Sequence, residues 1–291
     1  MNIYSENNNI IIDELNDFDI EEVLECGQCF HFTKLGDKRY EIISFGKYLR
    51  IFQEPDKLIL YNTTKEEFEG LWRRYFDLDT DYAHIKSRIL NLDIRLKEAV
   101  YEKPGIRILK QDFFETLISF IISQNKQIPH IKQIVHTISE RFGDAIILED
   151  GRRVYAFPTV EQLSVVTEEK LRECKVGFRA PYIKCAVDMV ASGEISKEKL
   201  LSMSVKEARE KLMTIKGVGE KVANCVLLFG LGFTDTFPVD VWMKRIMEYM
   251  YFDEPQDKKT IEAFAMGKYG ELAGYAQQYL FFYGRENGLG K

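Results

Sequence analysis

The sequence predicts an α+β protein: an N-terminal antiparallel β-sheet domain with flanking helices, packed on a multi-helix domain that contains a helix-hairpin-helix. Three observations carry that expectation. Short β-rich runs broken by turn residues fill the chain from Ile10 to about Asn62, and a Pro104-Gly105 step marks a change of regime. Beyond it, capped amphipathic segments follow one another, two of them joined by Gly217-Val218-Gly219. With 291 residues, 45% apolar and 13% aromatic, the chain can fill the cores of two closely packed domains. The expected boundaries are 1–104 for the β domain and 105–291 for the helical domain, with the helix-hairpin-helix at about 205–230.

The elements follow in order. Runs 39–45, 48–53 and 58–62 are split by Gly46-Lys47 and by Glu54-Pro55-Asp56-Lys57, the pattern of an antiparallel meander. From Thr64 the apolar period lengthens toward that of a helix. Asp112 with Glu115 reads as a capping box. It opens a segment (Phe113, Phe114, Leu117, Ile118, Phe120, Ile121, Ile122) that is apolar nearly all round and must therefore be central. Thr159 with Gln162 and Ser204 with Glu207 repeat the box, and Pro181 suits the first turn of a helix ending near Gly193. The second half is thus a bundle of short helices without internal repeats.

Composition narrows the function. The first residues are polar and acidic, and no stretch approaches the roughly 18–20 apolar residues of a membrane span. We therefore expect a cytoplasmic protein with no membrane partner. Five cysteines fit a reducing compartment. Cys26-x-x-Cys29 lacks a second pair and opens a β region, so neither a metal nor another cofactor is expected. A net charge of −6 speaks against nucleic acid taken alone, but only the face that touches phosphate has to be positive. Arg172, Lys175, Arg179 and Lys184 stand against Glu173 alone, and Lys216, Lys221, Lys244 and Arg245 add to a local basic face.

The hairpin carries the chemistry. A glycine hairpin exposes backbone N–H groups at a helix start, and such a start holds phosphate. Gly217 and Gly219 permit backbone conformations closed to other residues while Val218 tucks between the helices. A bare Gly-x-Gly serves as often as a plain structural turn. Lys221, in the first turn of the second helix, opposes the helix dipole. An exposed lysine there is usually a solvated charge, yet the positive helix end favours the neutral amine that attack on a sugar carbon requires. Asp240, after Pro238-Val239, stands where it can cap a third helix. A phosphate site, an amine and a carboxylate together suggest amine chemistry on a nucleic-acid sugar.

Gly217, Val218, Gly219, Lys221, Val222, Ala223 and Cys225, followed by Pro238, Val239 and Asp240, resemble the helix-hairpin-helix Gly/Pro-Asp DNA glycosylases. Within them the chain is most similar to the 8-oxoguanine DNA glycosylase/lyases of eukaryotic type. The resemblance implies double-stranded DNA containing 8-oxoguanine as partner, a monomeric enzyme, Lys221 as nucleophile and Asp240 as stabiliser of the oxocarbenium-like state. It also implies that Lys221 forms a Schiff base and that β-elimination then nicks the strand.

The same resemblance assigns the base pocket. Ala273-Gly274-Tyr275-Ala276-Gln277, then Leu280-Phe281, implies that Gln277 reads the Watson–Crick edge and Phe281 stacks on the base. Cys225 closes the other face, and Phe120 joins the base-binding set. Gly27, in Cys26-Gly27-Gln28-Cys29-Phe30, matches a glycine whose carbonyl accepts from N7–H, a donor that 8-oxoguanine has and guanine lacks. Leaving such an acceptor unpaired discriminates by about 1–3 kcal/mol.

On the DNA side, Asn125 would fill the gap left by the flipped nucleotide, Phe178 would wedge into the stack and Arg179 would contact the orphaned cytosine. His130 stands where the family has an arginine that recognises that cytosine, so a weaker preference for cytosine is expected. Trp242 and Asn224 also depart from the pattern and receive no role. The last cysteine is Cys225, so the four-cysteine cluster of the iron–sulfur members has no counterpart. Two alternatives stay open: a monofunctional alkylated-base glycosylase, against which Lys221 counts, and a non-catalytic helix-hairpin-helix DNA-binding protein.

Overall fold

The computed structural model describes residues 1–289. Six antiparallel strands form one sheet: β1 (Asn2–Glu6), β2 (Asn9–Asp13), β3 (Phe32–Gly36), β4 (Arg39–Ser44), β5 (Lys47–Gln53) and β6 (Lys57–Tyr61), in the order β1-β2-β6-β5-β4-β3. The expected meander is β4–β6, and β3 extends it. The hairpin β1–β2 was not expected; Asn7 and Asn8 adopt positive φ (48° and 62°), the conformations that close a two-residue hairpin. β2 then pairs with β6, Ile10 opposite Leu60, so the sheet is more than a meander.

Alternation puts Ile10, Ile12, Tyr40, Ile42, Leu49, Ile51, Leu58 and Leu60 on one buried face, where they pack on Phe68, Trp72, Tyr75 and Phe76. A second, larger core is built by the helices, and it takes in Cys26 and Phe30 from the loop before β3 and Tyr82, Ile85 and Ile89 from the helix Tyr82–Leu92. At its centre the helix Phe113–Ser123 buries nine of its eleven residues, as its all-round apolarity requires.

The caps agree with the sequence with one correction. Thr159 with Gln162 and Ser204 with Glu207 form complete capping boxes, and Pro181 sits in the first turn of Ala180–Ala191. At Asp112 only half the box forms. Its carboxylate accepts from Glu115 N at 2.9 Å, but the Glu115 carboxyl is turned inward, 3.5 Å from His31 Nδ1, and burial pushes its pKa well up. A small hairpin inside the helical part, Ala145–Ile147 with Arg153–Tyr155, was also not foreseen, its strands being too short to show a period.

One buried glutamine fixes the loop that carries Gly27. Gln28 donates to the carbonyls of Val23 and Arg107 at 2.8 and 2.7 Å and accepts from Leu109 N at 2.9 Å, while Gln111 donates to the Gln28 carbonyl at 2.8 Å. The segment joining sheet and helices thereby holds the Cys26–Phe30 loop in place.

Candidate active site

The hairpin joins the helices Val205–Leu212 and Glu220–Cys225, and the second continues as a widened turn over Val226–Leu231. Val218 N donates to Ile215 O at 3.0 Å and its side chain is buried. The two glycines differ. Gly217 has φ +82° and lies under the Tyr182 ring, 2.3 Å from where a Cβ would be; Gly219 has φ −103° with nothing within 4 Å of that position. The fold of the free protein requires glycine only at Gly217, which corrects the expectation that both adopt conformations closed to other residues.

Lys221 and Asp240 meet in one cleft of about 520 Å³, whose walls include Gly27, Phe30, Phe120, Ser123, Trp242, Phe281 and Arg285. The Lys221 amine lies 3.3 Å from Ser123 Oγ and 5.0 Å from the Phe120 ring centroid. It makes no ion pair among the described residues. Phe120 is itself stacked on Phe229, 5.5 Å between centroids, so the amine faces a rigid aromatic wall. Asp240 caps the helix Val241–Tyr251, accepting from Met243 N at 2.7 Å. One carboxylate oxygen thus anchors the helix at the cleft wall.

Cys225, one turn after Lys221, is buried. Burial pushes its thiol up to about 11, against the pull of the Lys221 ammonium and with a further rise from Asp240. It is therefore a neutral thiol beside Lys221 and Asp240, buried behind the cleft and not among the residues that line it. Gly27 has φ +86°, a conformation that favours glycine, and faces Phe281 and Ile128, whose nearest atoms lie 3.4 and 3.5 Å from its Cβ position. Gln277 is buried behind the cleft wall. It donates to Pro238 O at 3.4 Å and accepts from Gln278 at 2.8 Å, two residues upstream of Asp240.

The residues expected to handle DNA, the Gly217–Gly219 hairpin included, lie outside the cleft lining. Asn125 is exposed with φ +50° just beyond the central helix, and His130 is exposed in the first turn of Ile128–Phe142. Phe178 is 49% exposed, whereas Arg179 is only 2% exposed. The Arg179 guanidinium stacks 4.3 Å from the Phe178 ring and donates to the carbonyls of Val176 and Gln124. In this structure it braces the Phe178 turn against the segment that carries Asn125.

The basic run is correspondingly weaker than its count. Arg172 faces Glu168 and Lys184 faces Asp188, which leaves Lys175 without an ion pair among the described residues. Sequence reasoning missed Ser123 and Arg285. Arg285 follows Gln277 and Phe281 at four-residue spacing on the helix Ala273–Glu286, a signal that was legible.

The family model "8-oxoguanine DNA glycosylase, N-terminal domain" matches residues 10–117, and "HhH-GPD superfamily base excision DNA repair protein" matches residues 118–270. The N-glycosylase/DNA lyase OGG1 of Arabidopsis thaliana is 33% identical over 275 residues, covering 88% of this chain and 74% of that protein. The solved structure of Clostridium acetobutylicum 8-oxoguanine glycosylase/lyase, in complex with double-stranded DNA containing cytosine opposite 8-oxoguanine, superposes with a TM-score of 0.95. It is 40% identical and covers 99% of each chain. The structure of MBOgg1 in complex with a low-affinity DNA ligand also gives a TM-score of 0.95, at 43% identity and 99% coverage of each chain.

Proposed function

The chain belongs to the 8-oxoguanine glycosylase/lyase family of the HhH-GPD base-excision repair superfamily, and from that premise we propose how its own residues perform the activity. It is a bifunctional enzyme that flips 8-oxoguanine out of duplex DNA, excises it and nicks the abasic strand. The convergence of Lys221 and Asp240 on a cleft that also holds Gly27 and Phe281 carries this reading.

The nitrogen lone pair of Lys221 forms a bond to the sugar C1′ as the bond from C1′ to the base nitrogen breaks, and the base departs with the electron pair. Asp240 places a negative charge beside the cation that develops on the sugar, and its cap to Met243 holds it there without reorganisation. The amine gives up one proton, O4′ takes a proton as its bond to C1′ breaks and the ring opens, and the remaining N–H stays on a cationic Schiff base. Removal of a C2′ proton then expels the 3′ phosphate by β-elimination. Phe281 supplies a stacking face for the base, Cys225 the opposite neutral face, and the Gly27 carbonyl an acceptor for N7–H. Gln277 reaches the Watson–Crick edge by turning its amide from Pro238 toward the cleft.

On the duplex, the Gly217–Gly219 hairpin takes phosphate. Asn125 fills the vacated stack, Phe178 wedges it open, His130 meets the opposite base, and Arg179 joins it only by leaving the Val176 and Gln124 carbonyls. We further propose that the enzyme works as a monomer, as the family resemblance implies, and in the cytoplasm, a reading its five free cysteines support.

Borohydride trapping on an 8-oxoguanine duplex tests the reading. Wild type is expected to yield a covalent protein–DNA adduct, and folded Lys221→Gln none. Excision without any trappable adduct would favour a monofunctional glycosylase, and salt-dependent binding without excision a plain DNA-binding protein.

A further inference from the structure

Arg285 lines the cleft and carries a donor without a partner. Its Nη2 donates to the Glu25 carbonyl at 2.6 Å, whereas Nη1 is buried with no hydrogen-bond partner. No carboxylate forms an ion pair with it among the described residues. Its guanidinium carbon lies 5.6 Å from the Phe281 ring centroid and 5.2 Å from that of Phe282. Its Nη1 stands 3.5 Å from the Cβ position of Gly27. A buried cationic N–H without an acceptor is costly, and a ligand that supplies an oxygen at this point removes the cost.

The location names the oxygen. With a base stacked on Phe281 and its N7–H turned to the Gly27 carbonyl, the atoms beside Gly27 are those of the Hoogsteen edge. There O6 and O8 flank N7. We propose that Arg285 is a specificity-determining residue that donates from Nη1 to a carbonyl oxygen on the Hoogsteen edge of the flipped base. This rests on the functional reading above. If the acceptor is O8, undamaged guanine, which has C–H at that position, leaves the donor unpaired. Arg285 then adds to the selection made at N7.

The test measures binding, so that turnover does not intervene, with Lys221→Gln protein and the double variant Lys221→Gln/Arg285→Leu. The duplexes carry 8-oxoguanine, guanine, 8-oxoadenine or a stable abasic analogue. Loss of Arg285 is expected to weaken 8-oxoguanine binding by about tenfold to a hundredfold and to leave the abasic duplex within about twofold. With 8-oxoadenine, which keeps O8 and lacks O6, a persisting loss assigns the bond to O8 and a vanished loss assigns it to O6. Equal weakening on all duplexes, the abasic one included, would make Arg285 a structural or phosphate-binding cation and overturn the proposal. No weakening on 8-oxoguanine would overturn it too. If Lys221→Gln itself does not prefer 8-oxoguanine over guanine, the functional reading fails rather than this one.

Discussion

Replacing each hairpin glycine by alanine separates two positions that look equivalent in the sequence. At Gly217 the new Cβ meets two obstacles. The backbone sits at φ +82°, which costs a residue with a Cβ roughly 1–2 kcal/mol. The Tyr182 ring lies 2.3 Å away, and forcing that ring aside costs about 1–3 kcal/mol as overpacking. Together the expected destabilisation is about 2–5 kcal/mol, or roughly 3–8 °C in melting temperature for a chain of this size. Gly219 has extended backbone and open space, so Gly219→Ala should change stability by no more than about 0.5–1 kcal/mol in either direction. Thermal and urea unfolding of the two variants give the comparison. Adding Tyr182→Ala to Gly217→Ala should return the overpacking part only. Similar costs at both glycines, or a Gly217→Ala loss below about 1 kcal/mol, would refute the reasoning.

Three further outcomes follow from the geometry. Asp240→Asn keeps a good cap for Met243 N, so stability should hold within about 0.5 kcal/mol while single-turnover excision falls at least about a hundredfold; equal losses of both would mean that Asp240 only caps. Rates on 8-oxoguanine opposite each of the four bases should lie within about tenfold of one another for wild type, with His130→Arg restoring selectivity for cytosine; a strict cytosine requirement in wild type contradicts this. Burial pushes Glu22, which accepts from Gly105 N at 2.7 Å, from 4.5 up to about 7. The folded protein therefore holds this proton more tightly than the unfolded chain, and the associated stability, full below pH 4.5, is lost as pH rises to about 7. Glu22→Gln should gain about 1–2 kcal/mol over wild type at pH 8, allowing for partial solvent exposure, with the gain closing near pH 4.5; a gain independent of pH speaks against it.

The sequence was most legible where local chemistry decides structure. The strands β4–β6, the complete boxes at Thr159 and Ser204 and the cap at Asp240 each depend on residues within a few positions of one another. Glu115 shows the limit. Its spacing from Asp112 asks for a reciprocal cap, but tertiary packing turns the carboxyl toward His31, a partner the local sequence does not contain. Arg179 shows the same limit at the site, because its bond to the Gln124 carbonyl spans 55 residues and converts an apparent surface cation into a brace. Lys221 and Asp240 were readable because the hairpin and the following helix start place them. Arg285 shares the legible four-residue spacing of Gln277 and Phe281, but its neighbour in the site is Gly27, at the other end of the chain, which that spacing does not reveal.

That separation sets when the enzyme can exist. Arg285 bonds to a carbonyl 260 residues away, and Gly27 and Phe281 are neighbours in one wall of the cleft. At ribosomal speeds of about 5–20 residues per second, roughly 13–50 s pass between synthesis of the two halves of that wall. During this interval a nascent chain can already carry a folded sheet and the hairpin's phosphate grip. It has no surface on which to recognise a damaged base until the helix Ala273–Glu286 has emerged and docked. The lysine that would attack the sugar is thus made well before the pocket that tells it which nucleotide to attack.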